Sequence, residues 1–125
     1  MTENRLRRVI VRSVADVMSG AQLKTPGKML GAPITVGRMP YYTTALVTSL
    51  VSVVGGAEFR GEFSYDSALA RYSLGDDLTF YWDQPYASWI ENGDETFPGW
   101  HFMKTNAARW SEVVVANARK IRNRA

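Results

Sequence analysis

Leu50-Val51-Ser52-Val53-Val54-Gly55-Gly56-Ala57-Glu58-Phe59-Arg60-Gly61-Glu62-Phe63-Ser64-Tyr65 is the stretch whose reading decides the fold. Leu50 to Val54 is β-rich, with Val51, Val53 and Val54 β-branched. Gly55-Gly56 then offers the two positive-φ positions of a tight hairpin turn. From Glu58 to Tyr65 the pattern alternates, with Phe59, Gly61, Phe63 and Tyr65 on one face and Glu58, Arg60, Glu62 and Ser64 on the other. That is the period of a half-buried strand, so an antiparallel pair is expected over residues 50–65.

Working towards the C-terminus, a second hairpin is expected, with strands Arg71–Leu74 and Leu78–Trp82 around Gly75-Asp76-Asp77. Leu78, Phe80 and Trp82 should point one way, Thr79 and Tyr81 the other. Pro85 suits the opening of a short helix, in which Tyr86, Trp89 and Ile90 share a face, and Asn92-Gly93 ends it. A last helix is expected from Trp100 to Arg122, with Phe102, Trp110, Val113, Val114, Asn117 and Ile121 as its buried stripe and Met103 and Ala107 beside it. Working towards the N-terminus, Thr43 or Thr44 can cap one turn carrying Ala45 to Ser49. Residues 24–42 hold three prolines and three glycines and read as a long loop, expected to order when a neighbouring subunit covers it. Residues 3–22 form an amphipathic helix with Thr2 as N-cap. Leu6, Val9, Ile10, Val14, Val17, Met18 and Ala21 form its apolar stripe, and Gly20 weakens its last turn. Strands in the middle and helices at the ends predict one α+β domain over residues 1–125. It has an N-terminal helix, an antiparallel sheet of about four strands, a short helix and a long C-terminal helix packed on the sheet.

The 125 residues are enough for one core without staples. No cysteine is present, which excludes disulfides and thiolate metal sites, and His101 is the only histidine, which excludes a multi-histidine site. The stretch from Met39 to Ala57 is low in charge but interrupted by Pro40 and Gly55-Gly56, so no membrane span is expected. The net charge of +3 is mild. Arg5, Arg7, Arg8 and Arg12 crowd one end, and Arg119, Lys120, Arg122 and Arg124 the other. A helix C-terminus favours cations through its dipole, and a surface meeting DNA or an acidic partner is the other reading.

No catalytic, cofactor-binding or metal-binding set stands out. Asp76-Asp77 and Asp94-Glu95 fall in turns, where aspartate serves the local backbone. The serines and threonines lack a partner histidine or a nucleophile turn. Gly27, Gly31 and Gly37 lack phosphate-loop spacing. Glu91, close to a helix C-terminus, is expected to be compensated by an arginine such as Arg38 or Arg109 in a structural or intersubunit ion pair. Aromatics interleaved with charge at Phe59, Arg60, Phe63, Tyr65, Arg71 and Tyr72 could stack bases, and sheet packing explains them equally well.

Three segments, taken in order, resemble the tail-completion or neck proteins of long-tailed bacteriophages, which join head to tail. Pro40-Tyr41-Tyr42-Thr43-Thr44-Ala45-Leu46-Val47-Thr48-Ser49 matches a segment of Pro, a short gap, Thr-Gly, Leu and Ser after the first helix. Tyr86, Ala87, Glu91 and Gly93 match Tyr-Ala-x-x-x-Glu-x-Gly, and Pro98, Phe102 and Met103 match the Pro-rich turn and Phe-Met that open the last helix. Thr44 stands where that family usually has Gly, and Tyr42 where it often has Asp. The resemblance implies a non-enzymatic virion protein, made in the host cytoplasm and needing no cofactor. It would form a homo-oligomeric ring, usually of six, between portal-side neck proteins and the tail-tube protein, with DNA passing through the lumen. The alternative is a small cytoplasmic nucleic-acid-binding α+β module using the basic termini. Trp89 can serve the core or an interface: Trp89→Ala would lower monomer stability in the first case and block assembly alone in the second.

Overall fold

A computed structural model of the chain describes residues 2–23, 45–93, 95 and 99–123. In chain order the elements are α1 (Glu3–Ala21), α2 (Ala45–Thr48), β1 (Leu50–Val54), β2 (Ala57–Arg60), α3 (Ser64–Ala70), β3 (Leu78–Trp82), α4 (Ala87–Asn92), α5 (Phe102–Ala107) and α6 (Trp110–Asn123). The class is α+β, as expected. The expected loop at 24–42 and the caps at Thr43 and Thr44 lie outside the described residues.

β1 is the middle strand of a three-stranded antiparallel sheet of order β2-β1-β3. It reads as an almost continuous apolar run because both of its faces are covered: Leu50, Val51, Ser52 and Val54 are all buried. Gly55 and Gly56, at φ 53° and 87°, make the tight turn to β2, and Val54 pairs with Ala57. On β3, Ser52 faces Phe80 and Leu50 faces Trp82, so Leu50, Ser52, Val54, Phe59, Leu78, Phe80 and Trp82 share one face of the sheet. The alternation expected along 78–82 is present.

Two expected strand segments are not strands. After Arg60 the chain turns at Gly61, whose φ of 131° interrupts the ladder, and Ser64 starts α3. The Ser64 hydroxyl contacts that of Ser52 at 2.9 Å and reaches the Leu50 carbonyl at 3.3 Å, fixing the turn to the middle strand. Tyr65, Ala68, Leu69 and Tyr72 are buried with helical spacing, and that longer-range pattern overrides the local alternation. Arg71–Leu74 therefore continues out of α3 rather than forming a fourth strand. The backbone N–H of Ser73 donates to Asp76 Oδ2, closing an aspartate turn.

The last helix is also divided. His101 sits at φ 48° ahead of α5, and a break at Ala108-Arg109 separates α5 from α6. Buried Asn106 donates to the Phe102 carbonyl at 2.6 Å and accepts from Arg109 at 3.0 Å, so its side chain satisfies groups beside the break. The break re-phases the stripe: Trp110 is exposed, while Asn117 and Ile121 are buried. α6 packs chiefly on α1 rather than on the sheet. There Asn117 donates to Ser13 Oγ at 3.2 Å and to Asp16 Oδ2 at 2.9 Å. On α1, Thr2 caps the first turn by accepting from Arg5 N, and Leu6 is exposed rather than part of the buried stripe. Gly20 acts as a close-approach site, since a Cβ there would collide with Asn106 Oδ1.

The C-cap of α1, Gln22, is 4% exposed and joins three other parts of the chain. Its Nε2 donates to the Val47 carbonyl at 2.9 Å and the Glu62 carbonyl at 2.7 Å, and its Oε1 accepts from Trp82 Nε1 at 2.7 Å. Both amide hydrogens and the oxygen are therefore used. Gln22→Ala leaves these partners without their bond. At ~1–3 kcal/mol for each buried group left unsatisfied, the variant is expected to lose at least about 3 kcal/mol. Urea unfolding of the two proteins measures it, and a loss below about 1 kcal/mol would show that water replaces the amide.

Candidate assembly site

The described parts of the three sequence segments that carry the resemblance meet in one place. Leu46 and Val47 from α2, Ile90 from α4, Trp100, and Phe102 from α5 form a single buried cluster, with Trp82, Tyr86, Ala87 and Met103 packed around it. Trp82 meets Phe102 edge-to-face, with centroids 4.9 Å apart and planes at 84°. Ser49 closes the α2 turn by donating from its hydroxyl to the Leu46 carbonyl at 2.6 Å. Its own carbonyl accepts from Asp83 N at 3.0 Å, which ties the turn to the end of β3. Pro40, Thr43 and Pro98 lie outside the described residues.

α4 is six residues long and cannot stand alone, so its end is fastened to the segment that leads into α5. Tyr86 is its N-cap, which places Pro85 in the preceding turn rather than in the helix. Gly93 closes α4 at φ 73°, its N–H donating to the Trp89 carbonyl. The free carbonyls of the last turn are then met from across the chain: Trp100 N donates to Ile90 O at 2.7 Å and His101 N to Glu91 O at 3.0 Å. Glu91 completes the joint with its side chain. Its Oε1 accepts from Met103 N at 3.1 Å and its Oε2 from Lys104 N at 2.7 Å. The carboxylate thus leaves the end of its own helix, where the dipole opposes it, and caps the start of another, where the dipole favours it. His101, the local N-cap, makes no such bond through its side chain. The compensation expected from an arginine is supplied here by two backbone N–H groups. Arg109 donates to Asn106, and Arg38 lies outside the described residues.

Gly99 permits this approach. At φ 84° it lies so close to α4 that a Cβ would sit 2.7 Å from both Asn92 C and Glu91 O. Trp89, grouped in the sequence with Tyr86 and Ile90, is 44% exposed while Ile90 is 1% exposed. Of the site residues expected from the sequence, Leu46, Tyr86, Ala87, Glu91, Phe102 and Met103 are brought together as an internal joint. Trp89 is the most exposed of the aromatic ones. A shallow cavity of about 240 Å3 opens beside the joint between β3 and α4, with Tyr81, Ser88 and Glu91 on its wall.

A second surface lies on the α1–α6 pair. The bond from Asn117 to Asp16, and the approach of α5 to Gly20, show that α6 runs antiparallel to α1. The arginines of early α1 consequently lie at the carbonyl end of α6, whose own last turn carries Lys120 and Arg122, as the dipole reading anticipates. One apolar groove of about 440 Å3 is lined by Arg5, Val115, Ala118, Arg119, Ile121 and Arg122. Another, of about 450 Å3, runs beside Arg7, Arg8, Val11 and Arg12 and shares Ile121. The sequence suggested the basic ends but not that one isoleucine would floor both grooves. It gave no sign of the Gln22 role beyond a polar residue four positions after Met18 on the apolar face.

Comparison with known proteins finds no matching family model, no matching curated protein and no matching solved structure. Among the described residues no group of three acidic or histidine side chains is placed to hold a metal ion, and no helix is long and apolar enough to cross a membrane.

Two substitutions test the joint. Glu91→Ala should cost about 1–2 kcal/mol, the usual loss of a helix cap, and Glu91→Gln less, because an amide oxygen still accepts one bond. Gly99→Ala should cost more, at least about 2 kcal/mol, since a left-handed backbone and a clash with fixed main chain act together. Chemical denaturation gives both values, and equal stability of Gly99→Ala and wild type would refute the close approach.

Proposed function

We propose that this chain is a structural subunit of the head–tail junction of a long-tailed bacteriophage, completing or joining the tail as a ring. The observation that carries the reading is the convergence of the three motif segments. Residues spread from Leu46 to Met103 along the sequence form one packed joint in which Glu91 caps α5. A set of short motifs that resembles a family only in its order gains weight when its members touch. The motif residues then maintain the shape of the subunit, and contacts to other subunits are left to the exposed surface, including Trp89. A ring stacked between portal side and tail tube requires subunits with two different contact surfaces, because head-to-tail contacts are what close a cyclic array. The exposed aromatic on α4 and the arginine grooves on α1–α6 are two such surfaces on separate elements.

The grooves also favour a second reading, a nucleic-acid-binding module, since clustered arginines attract phosphates. Mass photometry and negative-stain microscopy of the full chain separate the two, together with co-purification with the portal-side and tail-tube proteins of its own genome. Rings that bind either partner are the expected result. A monomer that ignores both, and whose affinity for duplex DNA falls steeply with salt, would overturn the junction reading in favour of the module.

A further inference from the structure

The charges of this chain are sorted along it. Outside residues 58–95 the only carboxylates are Glu3, Asp16 and Glu112, and inside that span the only cations are Arg60 and Arg71. Within the acidic span Phe63 is 60% exposed, the most exposed of the large hydrophobics among the described residues, and an edge contact with Tyr65, with ring centroids 6.4 Å apart, holds it to the fold. It stands at the turn from β2 to α3, between Glu62 and the exposed Asp66. Negative charge is concentrated there. Burial first, and then the Asp66 and Glu62 carboxylates, push the neighbouring Tyr65 phenol above its ordinary range.

The groove of Arg5, Val115, Ala118, Arg119, Ile121 and Arg122 is the complement of that knob: apolar in its floor, cationic on its walls, and about 440 Å3 in volume. A cavity of ~150 Å3 already accommodates a benzene ring. Knob and groove cannot meet within one molecule. Gln22, at the far end of α1, bonds the carbonyl of Glu62 beside Phe63, whereas Arg5 lies at the start of the same helix. Seventeen residues at 1.5 Å each separate those two ends by about 25 Å.

We propose that Phe63 of one copy inserts into the arginine-walled groove of the next, with Asp66 facing Arg119 and its neighbours, as the head-to-tail contact of the assembly. The contact rests on the ring reading above and pairs the arginine groove with Phe63 rather than with Trp89. A second copy of this chain is favoured over a phosphate backbone because the groove floor is apolar, half-exposed Val115 included, and because the chain itself carries an acidic, aromatic partner of matching size. The two surfaces differ, so the contact is heterologous and propagates in one direction until it closes.

The test uses the full chain. Phe63 is the N-cap of α3, a position where serine is better suited, and the gain of a cap offsets the loss of the edge contact with Tyr65, so Phe63→Ser is expected to fold about as stably as wild type. Its self-association, followed by analytical ultracentrifugation, should weaken about thirtyfold, as for loss of an anchoring aromatic. Arg119→Glu and Asp66→Lys should each weaken it, and the double variant should recover most of the loss, with thermal unfolding confirming that all three fold. Oligomers that keep their size in Phe63→Ser and Arg119→Glu overturn this contact and leave the ring reading standing. A wild-type chain that stays monomeric overturns both. If Arg119→Glu abolishes binding to duplex DNA but leaves self-association unchanged, the groove is a phosphate site and the proposal falls.

Discussion

The fold depends on one buried amide. Gln22 sits where α1 ends, and the three groups it bonds belong to the turn before β1, the turn before α3, and the last residue of β3. None of these segments adjoins α1 in sequence, and none could settle against it with a carbonyl or an indole N–H left dry. The apolar clusters supply most of the driving force for collapse, but they would accept several registers of helix on sheet. A side chain with two donors and one acceptor, all satisfied, selects among them, because a shift of one residue would strand every partner at once. Polar specification recurs at the α1–α6 seam, where Asn117 bonds Ser13 and Asp16.

The same economy governs the joint around Glu91. Two short helices that could not persist separately are made to share their termini, the carbonyl end of α4 being capped by backbone N–H groups that precede α5, and the N–H end of α5 by a side chain from α4. The proposed assembly function builds on this: the residues that resemble a family are those that hold the subunit together, while its contacts use side chains the motifs do not include. Exposed ion pairs, such as Arg60 with Glu58 and Asp83, contribute little to such an architecture.

Much of this was legible in the sequence. Thr2 as a cap, the long first helix, the Gly55-Gly56 turn, the alternation on β3 and the glycine stop of α4 all follow from local chemistry and are present. What misled was a conflict of periods. Phe59 to Tyr65 alternates like a strand, while Tyr65, Ala68, Leu69 and Tyr72 repeat like a helix, and the helix prevails because it buries four side chains against the sheet and α1. The split between α5 and α6 is accompanied by the close approach of Asn106 to Gly20, between distant residues that no local pattern links. The partner of Glu91 was hidden for a related reason. Charge patterning points to an opposite charge, whereas a free helix terminus is a property of the folded chain.

Trp82 packs against both the Leu46–Phe102 cluster and the Met18–Leu50 cluster, as does Met103, and the indole N–H is the one bound by Gln22. The two clusters therefore share a wall rather than merely adjoining. Opening the α4–α5 end exposes one side of that wall and strips contacts from the sheet side as well, so neither half has a low-cost route to local unfolding. A displacement at α4 is therefore felt, through the Trp82 indole, at the end of the longest helix.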